Sequence, residues 1–272
     1  MKKFVKDLTV KAVEHVHERY VLIRLTDSEE LPQMLPGQFV EVRVDGSPAT
    51  FLRRPISICN VDSAKNELWL LVACIGDGTR QLGKLQAGDR LNCLLPLGNG
   101  WTLDSPQQGE RRLLVGGGVG VAPLLFLGRR LFEGGVEPTF LLGARTKHDL
   151  LLIEEFEKYG RVLVTTEDGS LGEQGFVTNH SILQRERFEL IHSCGPTPMM
   201  KAVASYARQQ GTPCEVSLEN LMACGLGACL CCVEKCLPPV PPKGEGSQET
   251  PEYVNVCVCK EGPVFSTNRL LW

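Results

Sequence analysis

The last 49 residues of this 272-residue chain hold seven of its twelve cysteines: Cys224, Cys229, Cys231, Cys232, Cys236, Cys257 and Cys259. So many thiols in so short a stretch organise either disulfides or metal. The spacing favours metal. Cys224, Cys229 and Cys232 are separated by four and then two residues, the opening run of a [2Fe–2S] loop. Ferric iron and bridging sulfide prefer soft, anionic sulfur donors. Ala223, Gly225, Gly227 and Ala228 are small, so backbone N–H groups can turn toward the sulfurs and tune the centre. Cys231 is set aside because it adjoins Cys232 and breaks the run. Cys236 is expected to be a bystander. The fourth ligand is Cys257 or Cys259, and spacing does not choose between them. A structural zinc site is the weaker reading, because zinc usually takes two close Cys pairs and here three ligands crowd one loop.

Charge and patterning narrow the setting. With 29 Lys+Arg against 32 Asp+Glu, the formal net charge is -3. That balance supports neither a nucleic-acid partner nor adhesion to anionic lipid. The longest uncharged stretch, Leu113–Gly128, is too short and too rich in glycine to span a bilayer. The N-terminus starts basic but carries no apolar signal core and no small-residue cleavage site. A cytoplasmic protein is expected, with no nucleic-acid and no membrane partner. The cytosol disfavours disulfides. Cys59, Cys74, Cys93, Cys194 and Cys214 therefore read mostly as small buried hydrophobes.

Upstream of the cysteines the pattern is first β and then alternating. Six short apolar runs, Thr9–Val13, Tyr20–Leu25, Gln38–Val44, Arg54–Val61, Glu67–Cys74 and Arg90–Leu95, are separated by turn residues such as Gly76-Asp77-Gly78. They predict an antiparallel barrel over residues 1–101. Thr102–Gly109 reads as a linker. From there strands Leu113–Val115, Thr139–Leu142, Val162–Thr165, Leu190–Ser193 and Cys214–Ser217 alternate with helices Pro123–Phe132, Leu150–Lys158 and Pro198–Gln209. This alternation predicts a doubly wound, Rossmann-like parallel sheet over 110–215. The cysteine module fills 216–272, and its Pro- and Gly-rich stretch Leu237–Glu252 is expected to be an exposed loop. The fold class is thus multidomain, β plus α/β.

Two turns in the alternating region suit a nucleotide. Gly116 to Pro123 (GGGVGVAP) follows a strand and opens a helix. Gly118 and Gly120 let the backbone approach a pyrophosphate, and the helix supplies unpaired N–H groups. Pro123 stands where the third glycine of such motifs falls, and it suits a first helical turn. Cys194-Gly195-Pro196 ends a later strand, at the carboxyl edge where open α/β sheets bind ligands. Glu133 and Glu137 are the acidic candidates for a ribose.

Several runs occur together in a fixed order: Arg53-Arg54-Pro55-Ile56-Ser57, Gly78-Thr79-Arg80-Gln81-Leu82, Pro96-Leu97-Gly98-Asn99-Gly100, GGGVGVAPL at 116–124, Cys194-Gly195-Pro196, MACGLGAC at 222–229 and CKEGPVF at 259–265. In these the chain resembles the ferredoxin reductase superfamily. Within it, the resemblance is to the iron–sulfur electron-transfer subunits of NAD-dependent (type B) dihydroorotate dehydrogenases, and it covers essentially the whole chain. It implies FAD on the barrel. Arg54 would pair with the FAD pyrophosphate, Ser57 would bond near the reactive flavin edge, and Ile56 stands where an aromatic residue is common. Gly78 and Thr79 would donate to phosphate, and Leu71, Val72 and Ala73 would line the flavin. It also selects Cys259 as the fourth ligand beside Cys224, Cys229 and Cys232. The gap from Cys232 to Cys259 is long for this family, and the Pro- and Gly-rich insertion is expected to bulge into solvent.

The parts imply their order. A nicotinamide exchanges two electrons as hydride, an iron–sulfur cluster exchanges one, and a flavin does both. The resemblance implies electrons passing from a separate FMN-containing dihydroorotate dehydrogenase catalytic subunit through [2Fe–2S] and FAD to NAD+, in pyrimidine biosynthesis. The chain has no room for that FMN-binding barrel, so a heterotetramer of two of each subunit is expected, with NAD as a diffusible substrate. One rival is a related NAD(P)H-dependent flavoprotein subunit linked to ferredoxin or sulfide. A zinc-stabilised binding protein without redox activity is the other. Leu270-Leu271-Trp272 is expected to be a locally packed tail.

Overall fold

The structure is a computed structural model describing residues 2–103, 109–238 and 252–272. Six strands close the first barrel: β1 (Phe4–His17), β2 (Tyr20–Thr26), β3 (Phe39–Val42), β4 (Arg54–Asp62), β5 (Glu67–Ala73) and β6 (Arg90–Leu97). Their order is β1-β2-β5-β4-β3-β6, and all neighbouring pairs are antiparallel. Val21, Ile23 and Leu25 of β2 and Leu68, Leu70 and Val72 of β5 fill the interior. The intervening Leu22, Trp69 and Leu71 face outward, yet they too are buried, against the second domain. A strand buried on both faces reads as a continuous apolar run, which is why Glu67–Ala73 shows no alternation.

Three local expectations need correction. β1 runs well beyond Thr9–Val13; exposed charges such as Asp7 and Glu14 interrupt the apolar run on its flanks. Gly76-Asp77-Gly78 is more than a turn: it opens helix α1 (Asp77–Leu82), where the Gly76 N–H donates to Thr79 Oγ1 at 3.0 Å. The helix expected over Leu150–Lys158 shrinks to one turn, α3 (Ile153–Phe156), because Leu152 enters it in the left-handed region at φ 57°. Part of the expected linker, residues 104–108, and most of the expected loop, residues 239–251, lie outside the described residues.

The second sheet holds β7 (Arg112–Gly117), β8 (Thr139–Ala144), β9 (Arg161–Thr166), β10 (Glu173–Gln174), β11 (Leu190–Cys194), β12 (Cys214–Ser217) and β15 (Val264–Ser266). Its order is β10-β9-β8-β7-β11-β12-β15, parallel throughout except for β15. Side chains alternate between two cores. Leu113, Val115 and Leu141 pack with Met200, Val203 and Ala207 of α5 (Thr197–Gln210), which follows the single turn α4 (Ile182–Arg185). Leu114, Phe140 and Leu142 pack with Leu124, Leu127 and Leu131 of α2 (Ala122–Glu133). That is a doubly wound sheet, and its strand order reverses between β7 and β11. Helix α2 also braces the barrel: Phe126 enters the barrel core, and Arg129 donates to Val61 O at 3.1 Å.

The C-terminal segment joins both domains. After hairpin β13 (Val233–Cys236) and β14 (Val254–Cys257) and the turn α6 (Val258–Glu261), β15 pairs antiparallel with β12. Asn99 N–H donates to Gly262 O at 2.6 Å, and Leu218 N–H to Pro263 O at 2.9 Å. A Cβ at Gly98 (φ 73°) would stand 2.6 Å from Pro263 Cδ. The PLGNG and EGPVF runs are thus two sides of one contact between the barrel and the cysteine segment. Among the described residues no helix is long and apolar enough to cross a membrane.

Candidate functional site: three adjoining cofactor cradles

The cysteine loop runs Cys224 to Cys232 ahead of β13. Gly225 (φ 65°), Gly227 (φ 83°) and Leu230 (φ 58°) all take left-handed backbone, which curls the loop around its thiols. Leu226 N–H points at Cys224 Sγ at 3.3 Å, and Cys259 N–H at Cys232 Sγ at 3.4 Å. N–H groups of Leu226, Cys229 and Ala228 hold the Cys224 thiol down to about 6, against the opposing effect of burial. Burial and the neighbouring Cys232 push Cys259 up to about 12. The Cys224 thiol lies close enough to Cys229 to interact with it, and the Cys259 thiol close enough to Cys232. Among the described residues no three such side chains converge on a single-ion position. Two pairs of thiols suit a two-iron cluster, in which each iron takes two thiolates. Cys231 is exposed, and Cys236 is fully buried at a bridge to Leu270.

The loop is seated on the barrel. A Cβ at Gly225 would lie 2.8 Å from Glu41 Cγ and 3.0 Å from Leu97 Cδ1. Glu41 is fully buried, and among the described residues neither carboxylate oxygen has a hydrogen-bond partner. Burial pushes this carboxyl up to about 7, against the pull of Arg53 and Arg54. Nothing in the sequence marked Glu41.

Glu41 faces Pro55 across the β3–β4 ladder, Val42 faces Arg54, and Phe39 faces Ser57. The flavin-type motif therefore lies one strand from the cysteine loop. Arg54 is half-buried and makes no ion pair among the described residues; its guanidinium donates to Leu52 O at 2.7 Å. A Cβ at Gly78 would lie 3.2 Å from Arg54 Nε, so α1 and β4 bring Arg54, Gly78 and the neighbouring Thr79 together. Pro55, Ser57 and Ala73 are half-buried and open outward. Ile56 and Val72 point into the barrel interior, and Leu71 packs against the second domain. Ile56 and Val72 thus turn their side chains away from the barrel's outer face, and Leu71 turns its own toward it.

The third cradle is a cleft of about 460 Å³ at the switch point, walled by Gly117–Gly120 after β7 and by Gly195, Pro196 and Thr197 after β11. A Cβ at Gly120 would stand 2.5 Å from Gly195 Cα, so the two turns touch backbone to backbone. A Cβ at Gly118 (φ 57°) would meet nothing within 4 Å. No side chain caps α5, which leaves its first-turn N–H groups facing the cleft. Cys194 itself is fully buried, so only Gly195 and Pro196 of that triplet line the opening.

The cleft also holds Tyr20, Lys201, Glu219 and Asn220, none of which the sequence assigned to a site, and Trp272 of the tail. Burial raises the Glu219 carboxyl. The tail is packed, as expected, but into this cleft, with Lys201 Nζ 5.7 Å from the Trp272 ring. The ribose candidates need correction. Glu133 ends α2, where it pairs with Arg129 at 2.8 Å, and Glu137 precedes β8. Both lie at the amino edge of the sheet, opposite the glycine turn. Arg145, just past the carboxyl end of β8, makes no ion pair among the described residues.

A closed barrel, a nucleotide-type sheet and a thiol loop, packed on one another, define a flavin-dependent, pyridine-nucleotide-linked electron-transfer protein with FAD and a [2Fe–2S] cluster. Comparison with known proteins agrees. Residues 114–205 match the oxidoreductase NAD-binding domain, and residues 219–271 match the iron–sulfur cluster binding domain of dihydroorotate dehydrogenase B. The electron transfer subunit of dihydroorotate dehydrogenase B (NAD(+)) from Shouchella clausii is 40% identical over 96% of this chain and 96% of its own. The subunit of the same name from Lysinibacillus sphaericus is 41% identical over 90% of each. Among solved structures, an NADH-dependent reduced ferredoxin-NADP oxidoreductase studied for flavin-based electron bifurcation superposes with a TM-score of 0.80 at 30% identity, covering 97% of this chain and 90% of that one. The chain belongs to the family of dihydroorotate dehydrogenase B electron transfer subunits.

Proposed function

We propose that this chain carries electrons from an FMN-containing dihydroorotate dehydrogenase catalytic subunit to NAD+, through its [2Fe–2S] cluster and FAD, for pyrimidine biosynthesis. The observation that carries this reading is the seating of Gly225 on Glu41, the residue that faces Pro55 of the flavin motif. When bound, the flavin exchanges hydride with nicotinamide and single electrons with the cluster. The chain's own residues position these partners. Cys224, Cys229, Cys232 and Cys259 hold the cluster, and the loop N–H groups stabilise its sulfurs. The Arg54 fork, with no carboxylate to satisfy it, takes the FAD pyrophosphate, assisted by Gly78 and Thr79. Ser57 stands toward the flavin edge. Pro55, Ala73 and the backbone of Ile56, Leu71 and Val72 form the wall behind it. Gly118, Gly120, Gly195 and Pro196 admit the dinucleotide, and Cys194 anchors their strand from the core.

This reading divides the chain into a flavin barrel at 1–101, a nucleotide domain at 110–215 and a cluster module at 216–272, with β15 lent to the middle sheet. Leu221, Leu226 and Leu230 expose large apolar side chains on the cluster loop. Such a patch suits a docking face, and the catalytic subunit is its occupant, in a cytoplasmic heterotetramer of two of each. The test is co-expression with a candidate catalytic subunit. Dihydroorotate-dependent NAD+ reduction by the co-purified complex supports the reading. An FMN subunit that neither co-purifies nor transfers electrons refutes it.

A further inference from the structure

We propose that Cys257 is a reserve ligand of the iron–sulfur centre, a fifth thiol that takes over the iron when Cys259 is lost. This rests on the ligand set Cys224, Cys229, Cys232 and Cys259. The module holds three further thiols, and they are placed differently. Cys231 is exposed, and Cys236 is buried beside Leu270. Cys257 alone of the three faces the loop interior: its Sγ lies 3.8 Å from Gly227 O, between Cys224 and Cys229 in sequence.

The backbone around Cys257 permits the exchange. Cys257 ends β14 and Cys259 lies two residues on, in α6. Val258 N–H donates to Cys232 O at 3.1 Å, which pins this corner against the ligand loop. Two residues of chain span at most about 7 Å, so a change of ligand involves the corner alone and leaves the barrel contact at Gly262 in place. The exchange is not a redox step. A bond forms between Cys257 sulfur and the iron that the loss of Cys259 leaves with one thiolate, any solvent ligand held there is released, the thiol proton passes to solvent, and the iron keeps its valence.

The test uses the full chain, prepared anaerobically as wild type, Cys257→Ala, Cys259→Ala and the double variant. Iron, acid-labile sulfide and FAD are measured, and iodoacetamide labelling of Cys257 is mapped by peptide mass spectrometry. The expected result is a Cys259→Ala protein that keeps cluster and FAD, with visible circular dichroism altered and Cys257 labelled at least about tenfold less than in wild type. Cys257→Ala keeps the wild-type cluster, and the double variant loses it.

Cys259→Ala protein as empty as the double variant, with wild-type FAD, overturns the reserve role and leaves the Cys259 assignment standing. A filled Cys259→Ala site with Cys257 still labelled overturns the Cys259 assignment itself. Loss of cluster in Cys257→Ala makes Cys257 a primary ligand and overturns both. Should Cys259→Ala also lose FAD, the near-isosteric Cys259→Ser is read by labelling: protection of Cys257 supports the proposal, and labelling overturns it.

Discussion

Replacing Glu41 by Gln should stabilise the protein, and more so as pH rises. The side chain is fully buried, and both oxygens lack partners among the described residues. Burial lifts its carboxyl from an ordinary 4.5 to about 7, in spite of Arg53. Between those values the folded chain holds a proton that the unfolded chain has released. Stability therefore falls as pH rises through that window, and the full cost is present above it. The gap corresponds to about 3 kcal/mol. For a chain of this size that is roughly 6–10 °C in Tm. The assay is thermal unfolding of wild-type and Glu41→Gln holoprotein at about pH 5 and about pH 8. The two should melt alike at the lower pH, where both side chains are neutral, and the variant should melt higher at the upper. A Tm difference that does not change with pH would refute the reasoning.

Gly120→Ala forces a Cβ to within 2.5 Å of Gly195 Cα. Parting the two turns should raise KM for NADH in flavin reduction by roughly a hundredfold; Gly118→Ala, whose Cβ would meet no protein atom, should cost about 1–2 kcal/mol of backbone strain in stability. Arg54→Lys keeps the charge but loses the planar fork, so FAD measured per chain after gel filtration should fall while the cluster iron remains. Gly128→Ala places a Cβ 2.1 Å from Phe140 Cζ under α2. It should lower stability by about 1–3 kcal/mol, read as a lower Tm with KM for NADH unchanged.

What was legible in the sequence was local. The glycine turn after β7 and the Cys224-Cys229-Cys232 run are short motifs, and both could be assigned to a cofactor from spacing. The barrel strands showed as short apolar runs bounded by turn residues. The long flanks of β1 did not, because exposed charges interrupt the apolar run there. Thr79 was legible as a donor but not as the acceptor that caps α1 from Gly76.

The remaining features depend on contacts between distant segments. Glu41 gains its meaning only when Gly225 is laid over it, 184 positions further along the chain. Glu133 and Glu137 followed the glycine turn at a plausible distance, but sequence distance does not say which edge of a sheet a residue reaches. Trp272 meets Tyr20 across the cleft because β15 returns the C-terminal segment to the nucleotide sheet, and Glu219 reaches the same cleft from the end of β12.

The most direct measurement is on anaerobically prepared full-length chain. Iron, acid-labile sulfide and FAD are quantified, and NADH is then added while the reduced cluster is followed by electron paramagnetic resonance. Cradles arranged in this order predict about two iron and two sulfide per chain, equimolar FAD, and a cluster signal that grows on addition of NADH and requires the flavin. A colourless, zinc-containing protein, or a filled cluster that NADH cannot reduce with FAD in place, would contradict the account.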